Sequence, residues 1–161
     1  MLMQNRLKRF YGDNWGFSLA ELLTVTAIIG IVTAVAMPRF LAMQPSMRLN
    51  GASREIFGKL MWARAQAVEE NITYSVIFPT NHSMTVIRDA NANGAADSGE
   101  TTESVDIQTD YSDCAFTVSG GDTIPNFLGR GTTNGDTTIT ISNSAGSRVV
   151  TVSLTGNIKI N

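Results

Sequence analysis

The sequence predicts an α+β chain: a long N-terminal helix, transmembrane in its first half, packed on a C-terminal, mainly antiparallel β domain. Three observations predict it. A nearly uncharged apolar run comes first, an apolar stripe at helical spacing follows, and short β-branched runs separated by turn residues fill the rest. The 161 residues leave room for one ordinary domain beside such a helix. With 43% hydrophobic and 16% charged residues, and 12 basic against 14 acidic side chains, the composition excludes a disordered chain and a general binder of polyanions.

Phe17 to Met37 holds 15 apolar residues out of 21 and one charge, Glu21. That matches the roughly 20 residues a helix needs to cross a bilayer core. Pro38 follows directly and lacks the amide donor, so a helix continuing through it is expected to bend or loosen, with a second bend expected at Pro45. Residues 1–16 carry Arg6, Lys8 and Arg9 against Asp13 and have no apolar run of their own. An ordinary secretory signal places its apolar region before the cut, whereas here it follows the one plausible site, Gly16-Phe17. Basic residues flank both ends of the span, with Arg39, Arg48 and Arg54 on the far side, so charge counting leaves its orientation open.

Beyond Pro45 the pattern is that of a soluble helix. Ile56, Leu60, Ala63 and Ala67 recur at spacings of four, three and four, with Met61 and Val68 beside them. A continuous helix over 17–70 would be on the order of 80 Å long. Asn71 is its expected stop. Residues 71–161 read as the β domain, with strands expected at 73–78, 83–88, 115–118, 137–142, 148–154 and 158–160. Twelve of the 61 residues from Thr101 onward are threonine, which suits solvent-facing strand positions. One antiparallel sheet is expected, lying on the apolar stripe of the helix, because a sheet without helices of its own needs a partner to form a core.

The junction GFSLAELLTVTAIIGIVTAVAMP resembles the N-terminus of a type IV prepilin or a type II secretion pseudopilin. Gly16 precedes an aromatic Phe17, Glu21 is fifth after the cut, the span is otherwise uncharged, and Pro38 is twenty-second. The stretch LMWARAQAVEENITYSVIF further resembles the helix end and first strand of the GspH/FimT group of minor pilins and pseudopilins. The resemblance implies a pilin-like fold and a prepilin peptidase that cuts after Gly16 and methylates the new amine on Phe17. It also implies a β domain outside the bacterial inner membrane, first periplasmic and later part of a pilus or pseudopilus. The implied partners are membrane lipid, other pilins or pseudopilins, and an inner-membrane assembly platform with a separate ATPase. Glu21 and Pro38 are the assembly residues it marks. A carboxylate in the apolar layer costs a few kcal/mol, so it needs a partner or must remain protonated. Either Glu21 snorkels to the interface or, as the resemblance implies, it pairs with the amino terminus of a neighbouring subunit.

No cofactor is required, but one pattern points to a metal. Asp89, Asn91, Asn93, Gly94, Asp97 and Glu100 satisfy D-x-[DN]-x-[DN]-G-x5-E, with Ala95 placed to offer a carbonyl. Calcium takes six to eight oxygens at flexible geometry, and this spacing supplies them from one tight turn. The flanks SMTVIR and ESVDI are strand-like, so the expectation is a calcium loop between strands rather than an EF-hand. An acidic, glycine-containing surface loop is the alternative.

Nothing in the sequence points to an enzyme. His82, the lone histidine, lies in an expected turn, and no GxSxG, HExxH, GxGxxG or GxxxxGK[ST] string occurs. Trp62 and Met61 read as packing residues on the helix, and the single Cys114 as a small buried apolar side chain. The resemblance raises DNA reception as an alternative function, because some FimT-type minor pilins use a basic C-terminal G-R-x-R motif. Here the tail reads Gly156-Asn157-Ile158-Lys159, and Arg130, Arg148 and Lys159 are the candidate patch. From Ala65 onward four basic residues face eleven acidic ones, a net of −7, which opposes attraction of a phosphate backbone.

Overall fold

The computed structural model describes residues 16–121 and 123–161. All of the expected basic leader except Gly16 lies outside the described residues. The chain divides into two units, one ending at Leu41 and one running from Ala42 to Asn161.

Helix α1 spans Leu19–Glu70 and continues through Pro38 and Pro45. Ser18 caps it, its Oγ accepting the Glu21 amide at 3.1 Å, which satisfies one of the first-turn donors. In the first unit every described residue, 16–41, is exposed. Phe17, Leu19, Leu22, Leu23, Ile28, Ile29, Ile31 and Val32 are 56–80% exposed. The polar side chains there satisfy themselves: Thr24 and Thr33 Oγ1 donate to the carbonyls four residues back at 2.8 and 2.7 Å, and Thr26 does so at 2.9 Å. The helix is long and apolar enough to cross a membrane.

In the second unit α1 becomes one-sided. The expected stripe is buried in full: Ile56, Leu60, Ala63 and Ala67 have no exposed surface, and Leu49, Ala52 and Ser53 extend it toward the N-terminus. Met61 and Val68 lie off that stripe and are exposed. The alanines keep the helix surface low, so strands approach it closely.

The β domain holds eight strands: β1 Thr73–Ile77, β2 Ser83–Asp89, β3 Thr102–Asp106, β4 Ala115–Gly120, β5 Asn126–Phe127, β6 Thr137–Asn143, β7 Gly146–Val152 and β8 Ile158–Ile160. They form two antiparallel four-stranded sheets, in the orders β3-β2-β1-β5 and β4-β6-β7-β8, which corrects the expectation of a single sheet. After β3 and the 3-10 turn Ile107–Thr109 the chain leaves the first sheet, β4 pairs with β6 instead of β3, and β5 returns to pair with β1. Val76, Met84 and Val86 of one sheet and Phe116, Ile139, Ile141, Val150 and Val152 of the other meet the helix stripe in one core, together with buried Cys114. Strand β7 begins two residues earlier than expected and stops at Val152. A turn then starts, leaving Leu154 55% exposed.

Three contacts tie the start of the second unit's helix to its sheets. Asn143 Nδ2 donates to the Pro45 carbonyl at 2.7 Å, Arg148 Nε to Asn50 Oδ1 at 3.0 Å, and Arg48 stands 3.6 Å from Asp113. At the far end Asn71 adopts φ 53, and the Ile72 amide donates to the Ala67 carbonyl at 3.3 Å, the Schellman closure expected of a helix stop. Arg64 Nε donates to the Gly131 carbonyl at 2.9 Å. The turn of Gly156 crosses directly over that carbonyl, at φ 77, and a Cβ there would run into it. Gly156→Ala is therefore expected to cost more than about 1 kcal/mol of stability. The check is a fall in the melting temperature of the intact chain in detergent.

Candidate functional site

The first candidate is the N-terminal end of α1. Ser18 and Glu21 stand in the spacing of a capping box, a signal present in the sequence as S-x-x-E and overlooked in favour of the carboxylate alone. Glu21 thus sits in the first helical turn, where negative charge complements the helix dipole. Among the described residues its carboxylate has no hydrogen bond or ion pair, while the threonines around it are satisfied. From Phe17 to Pro38 it is the one charged side chain, and Arg39 is the next.

The second candidate is the loop between β2 and β3, which the structure brings together around Asp89. This carboxylate is fully buried and accepts three hydrogen bonds: from Ser75 Oγ at 2.6 Å, the Gly94 amide at 2.7 Å and the Asn93 amide at 3.0 Å. Glu100 accepts from the Ala90 amide at 3.0 Å and the Asp97 amide at 3.1 Å, closing the loop on itself. Asp97 Oδ2 accepts from the side-chain amides of Asn91 and Asn93, each at 2.7 Å, and these bonds hold its pKa below the usual carboxylate value. The Ala95 amide donates to Asn93 Oδ1 at 2.8 Å, and Ala92 and Gly94 take φ of 57° and 75° to let the chain turn. Among the described residues no three His, Cys, Asp or Glu side chains form a metal-holding group. A cation at this loop would need the amide oxygens of Asn91 and Asn93 as well as the carboxylates. The role of Ser75 was not legible in the sequence, since it reaches Asp89 only through the pairing of β1 with β2.

The three basic residues do not share one surface. Arg148 has the strand parity of buried Val150 and Val152 and reaches Asn50, whereas Lys159 stands opposite Thr151 on the other face of the sheet. Arg130 lies in the loop after β5 and donates to Thr132 Oγ1 at 2.9 Å. His82 Nδ1 lies 3.0 Å from Asp106 Oδ1, so this histidine braces a turn. The Asp106 carboxyl is held below its usual pKa first by the Gln108 amide and then by His82. Trp62 is 38% exposed and packs edge-on against Tyr74 at 6.2 Å, at the rim of the core instead of within it. Cys114 is free and buried, and burial raises its thiol pKa.

One long N-terminal helix feeding a two-sheet antiparallel head is the fold of the pilin-type subunits. It is shared with the type IV minor pilin FimU of Pseudomonas aeruginosa, with TM-score 0.57 and 18% identity over 70% of this chain and 87% of that one. It is shared equally with the minor pseudopilin EpsH of the type 2 secretion system of Vibrio cholerae, with TM-score 0.55 and 12% identity over 71% of this chain and 96% of that one. The family described as type II transport protein GspH matches residues 52–156, and the chain belongs to that family. The type IV major pilin protein PilA of Myxococcus xanthus is 41% identical over 51 residues, 32% of this chain and 23% of that pilin, so the match spans under a quarter of its length.

Removing the Asp89 carboxylate strands two amides and a hydroxyl inside the protein. Asp89→Ala is expected to destabilise the domain by roughly 2–4 kcal/mol, well beyond the effect of an exposed acidic residue. Chemical denaturation of the intact chain in detergent checks this.

Proposed function

We propose that this chain is a non-enzymatic minor pilin or pseudopilin, a structural subunit of a type IV pilus or type II secretion pseudopilus. The observation that carries the reading is α1 before Ala42: every side chain is exposed, most are apolar, and Glu21 is the lone charge up to Arg39. Such a surface is stable in lipid or against other helices and not in water. In this reading a prepilin peptidase cuts between Gly16 and Phe17 and methylates the new amine. The span then holds the subunit in the bacterial inner membrane with residues 71–161 on the periplasmic side. An assembly platform driven by a separate ATPase moves the same apolar surface from lipid into packing with other pilins. Lipid and protein are comparably apolar, so this transfer has little hydrophobic driving force, and selection falls to close packing and to Glu21 meeting a neighbour's amino terminus. DNA reception through Arg130, Arg148 and Lys159 is the weaker reading, since two of them stand on opposite sheet faces of an acidic domain.

Glu21→Ala is expected to leave membrane insertion intact while lowering incorporation into the assembly about tenfold, the scale of a lost charge pair. Quantifying the variant in sheared filaments or purified secretion machinery, beside its membrane fraction, decides the matter. Unchanged incorporation overturns the role of Glu21. The mass of the mature chain, expected to begin at methylated Phe17, tests the processing step separately.

For the loop over Asp89, Asn91, Asn93, Ala95, Asp97 and Glu100 we propose calcium as the ligand. The support is the spacing of five carboxylate and amide side chains along one turn, two of which, Asn91 and Asn93, meet Asp97. Turning the Asn91 and Asn93 amide oxygens toward a cation beside Asp97 would break the bonds they now accept from the Asn93 and Ala95 amides, so calcium binding would reorder the loop. Calcium is then expected to raise the melting temperature of the protein relative to chelator, by linkage to the folded state. Identical midpoints overturn it.

A further inference from the structure

Met61, Ala65 and Val68 follow one another at spacings of four and three on the side of α1 away from the buried stripe. Met61 is 40% and Val68 50% exposed. The opposite face already supplies the core, so this stripe has no partner inside the subunit. The loop after β5 closes one side of it, making a groove of about 540 Å³ lined by Met61, Arg64, Ala65, Val68, Glu69 and Arg130. Its wall is fixed, since Arg64 Nε holds the Gly131 carbonyl at 2.9 Å.

Charge distinguishes this groove from its surroundings. Two guanidinium groups border it against one carboxylate, Glu69, which already accepts from Gln66 Nε2 at 3.3 Å. Arg130 has no carboxylate partner among the described residues. The chain from Ala65 onward is otherwise acidic, so a cationic apolar groove is an exception on it.

We propose that the groove receives a helix of a neighbouring, non-identical subunit, which lays apolar side chains on Met61, Ala65 and Val68 and presents a carboxylate to Arg130 and Arg64. This rests on the assembly reading of the chain and names the partner chemistry for it. A stripe at spacings of four and three along one helix is matched by the ridge of another. Charge argues against a second copy docked groove to groove. Two such grooves face to face would oppose Arg130 with Arg130, and Glu70, one turn away, is already held by Arg88 Nε at 2.5 Å and Tyr74 Oη at 3.0 Å.

The test places a photo-crosslinking residue at Val68, and as a control at Thr102, in the full chain within cells that make the whole assembly. The expected result is an adduct at Val68, absent at Thr102, between this chain and a second pilin-type subunit identified by mass spectrometry. Arg130→Glu should lower its yield about tenfold without shifting the melting temperature, and charge reversal of the partner's carboxylate should restore it. An adduct with a second copy of this chain, equal labelling at Thr102, or a yield that Arg130→Glu leaves unchanged overturns the proposal. A wild-type chain that enters the assembly without a Val68 adduct overturns the groove alone. A wild-type chain that never enters an assembly overturns the assembly reading with it.

Discussion

The β domain depends on one face of one helix. Each of its two sheets turns an apolar side toward α1, and neither has a helix of its own to cover it. Sheets of four short strands reach stability only by burying that side, and here both bury it against the same row of residues from Leu49 to Ala67. The row therefore has to be narrow and low. Ala52, Ala63 and Ala67 keep it so, while Ile56 and Leu60 supply the volume between them. A larger side chain at any of the three alanines would hold the strands off the helix and expose Ile139 or Val76, which have no exposed surface here. The division of α1 into an exposed apolar portion and a one-sided portion follows from this requirement.

Closure of the head depends on polar groups in the same way. The β2–β3 loop is long for a hairpin, and its entropy cost is offset by anchoring it at both ends to buried or self-satisfied groups. Asp89 does the larger share. A buried carboxylate without partners would cost several kcal/mol, yet this one accepts three bonds, two from the loop backbone and one from the neighbouring strand. The loop is thereby templated on β1, and the left-handed residues Ala92 and Gly94 occur where the backbone bends to deliver its amides.

Local patterns made much of this legible. The helix stripe of Ile56, Leu60, Ala63 and Ala67, the stop at Asn71, and six of the strand cores follow from periodicity and turn chemistry, which act within a few residues. Partition into two sheets was not legible, because β4 pairs with β6 some twenty residues later and no local pattern encodes that choice. The two-residue β5 is too short to have a period. The same distinction governs the sites. The acidic loop and Glu21 stand out as strings, whereas Ser75 under Asp89 and Arg130 beside Val68 come together only through the fold. The sequence places His82 in a turn but not its brace, since Asp106 is 24 residues away.

Magnitudes decide what a lone acid at the head of α1 requires. At its position in the first turn the carboxylate gains about 0.3–1 kcal/mol from the helix dipole at an exposed site. Holding a charged carboxylate within an apolar layer costs on the order of 3 kcal/mol, and the cap on Ser18 uses the Glu21 amide, leaving its side chain without a partner among the described residues. The local helix therefore does not compensate the charge. The threonines show how a polar group is tolerated there without a partner, by bonding back to the helix carbonyls, and a carboxylate has no proton with which to copy them. While charged, it has to reach the interface or meet a cation from outside the helix. An amine freed at Phe17 by cleavage would stand at the same end of the helix, four residues away. On one chain it satisfies its own carboxylate; in a helical stack it is equally available to the next. In the assembly proposed above, the choice between those two pairings would add to close packing in setting the axial position of a subunit.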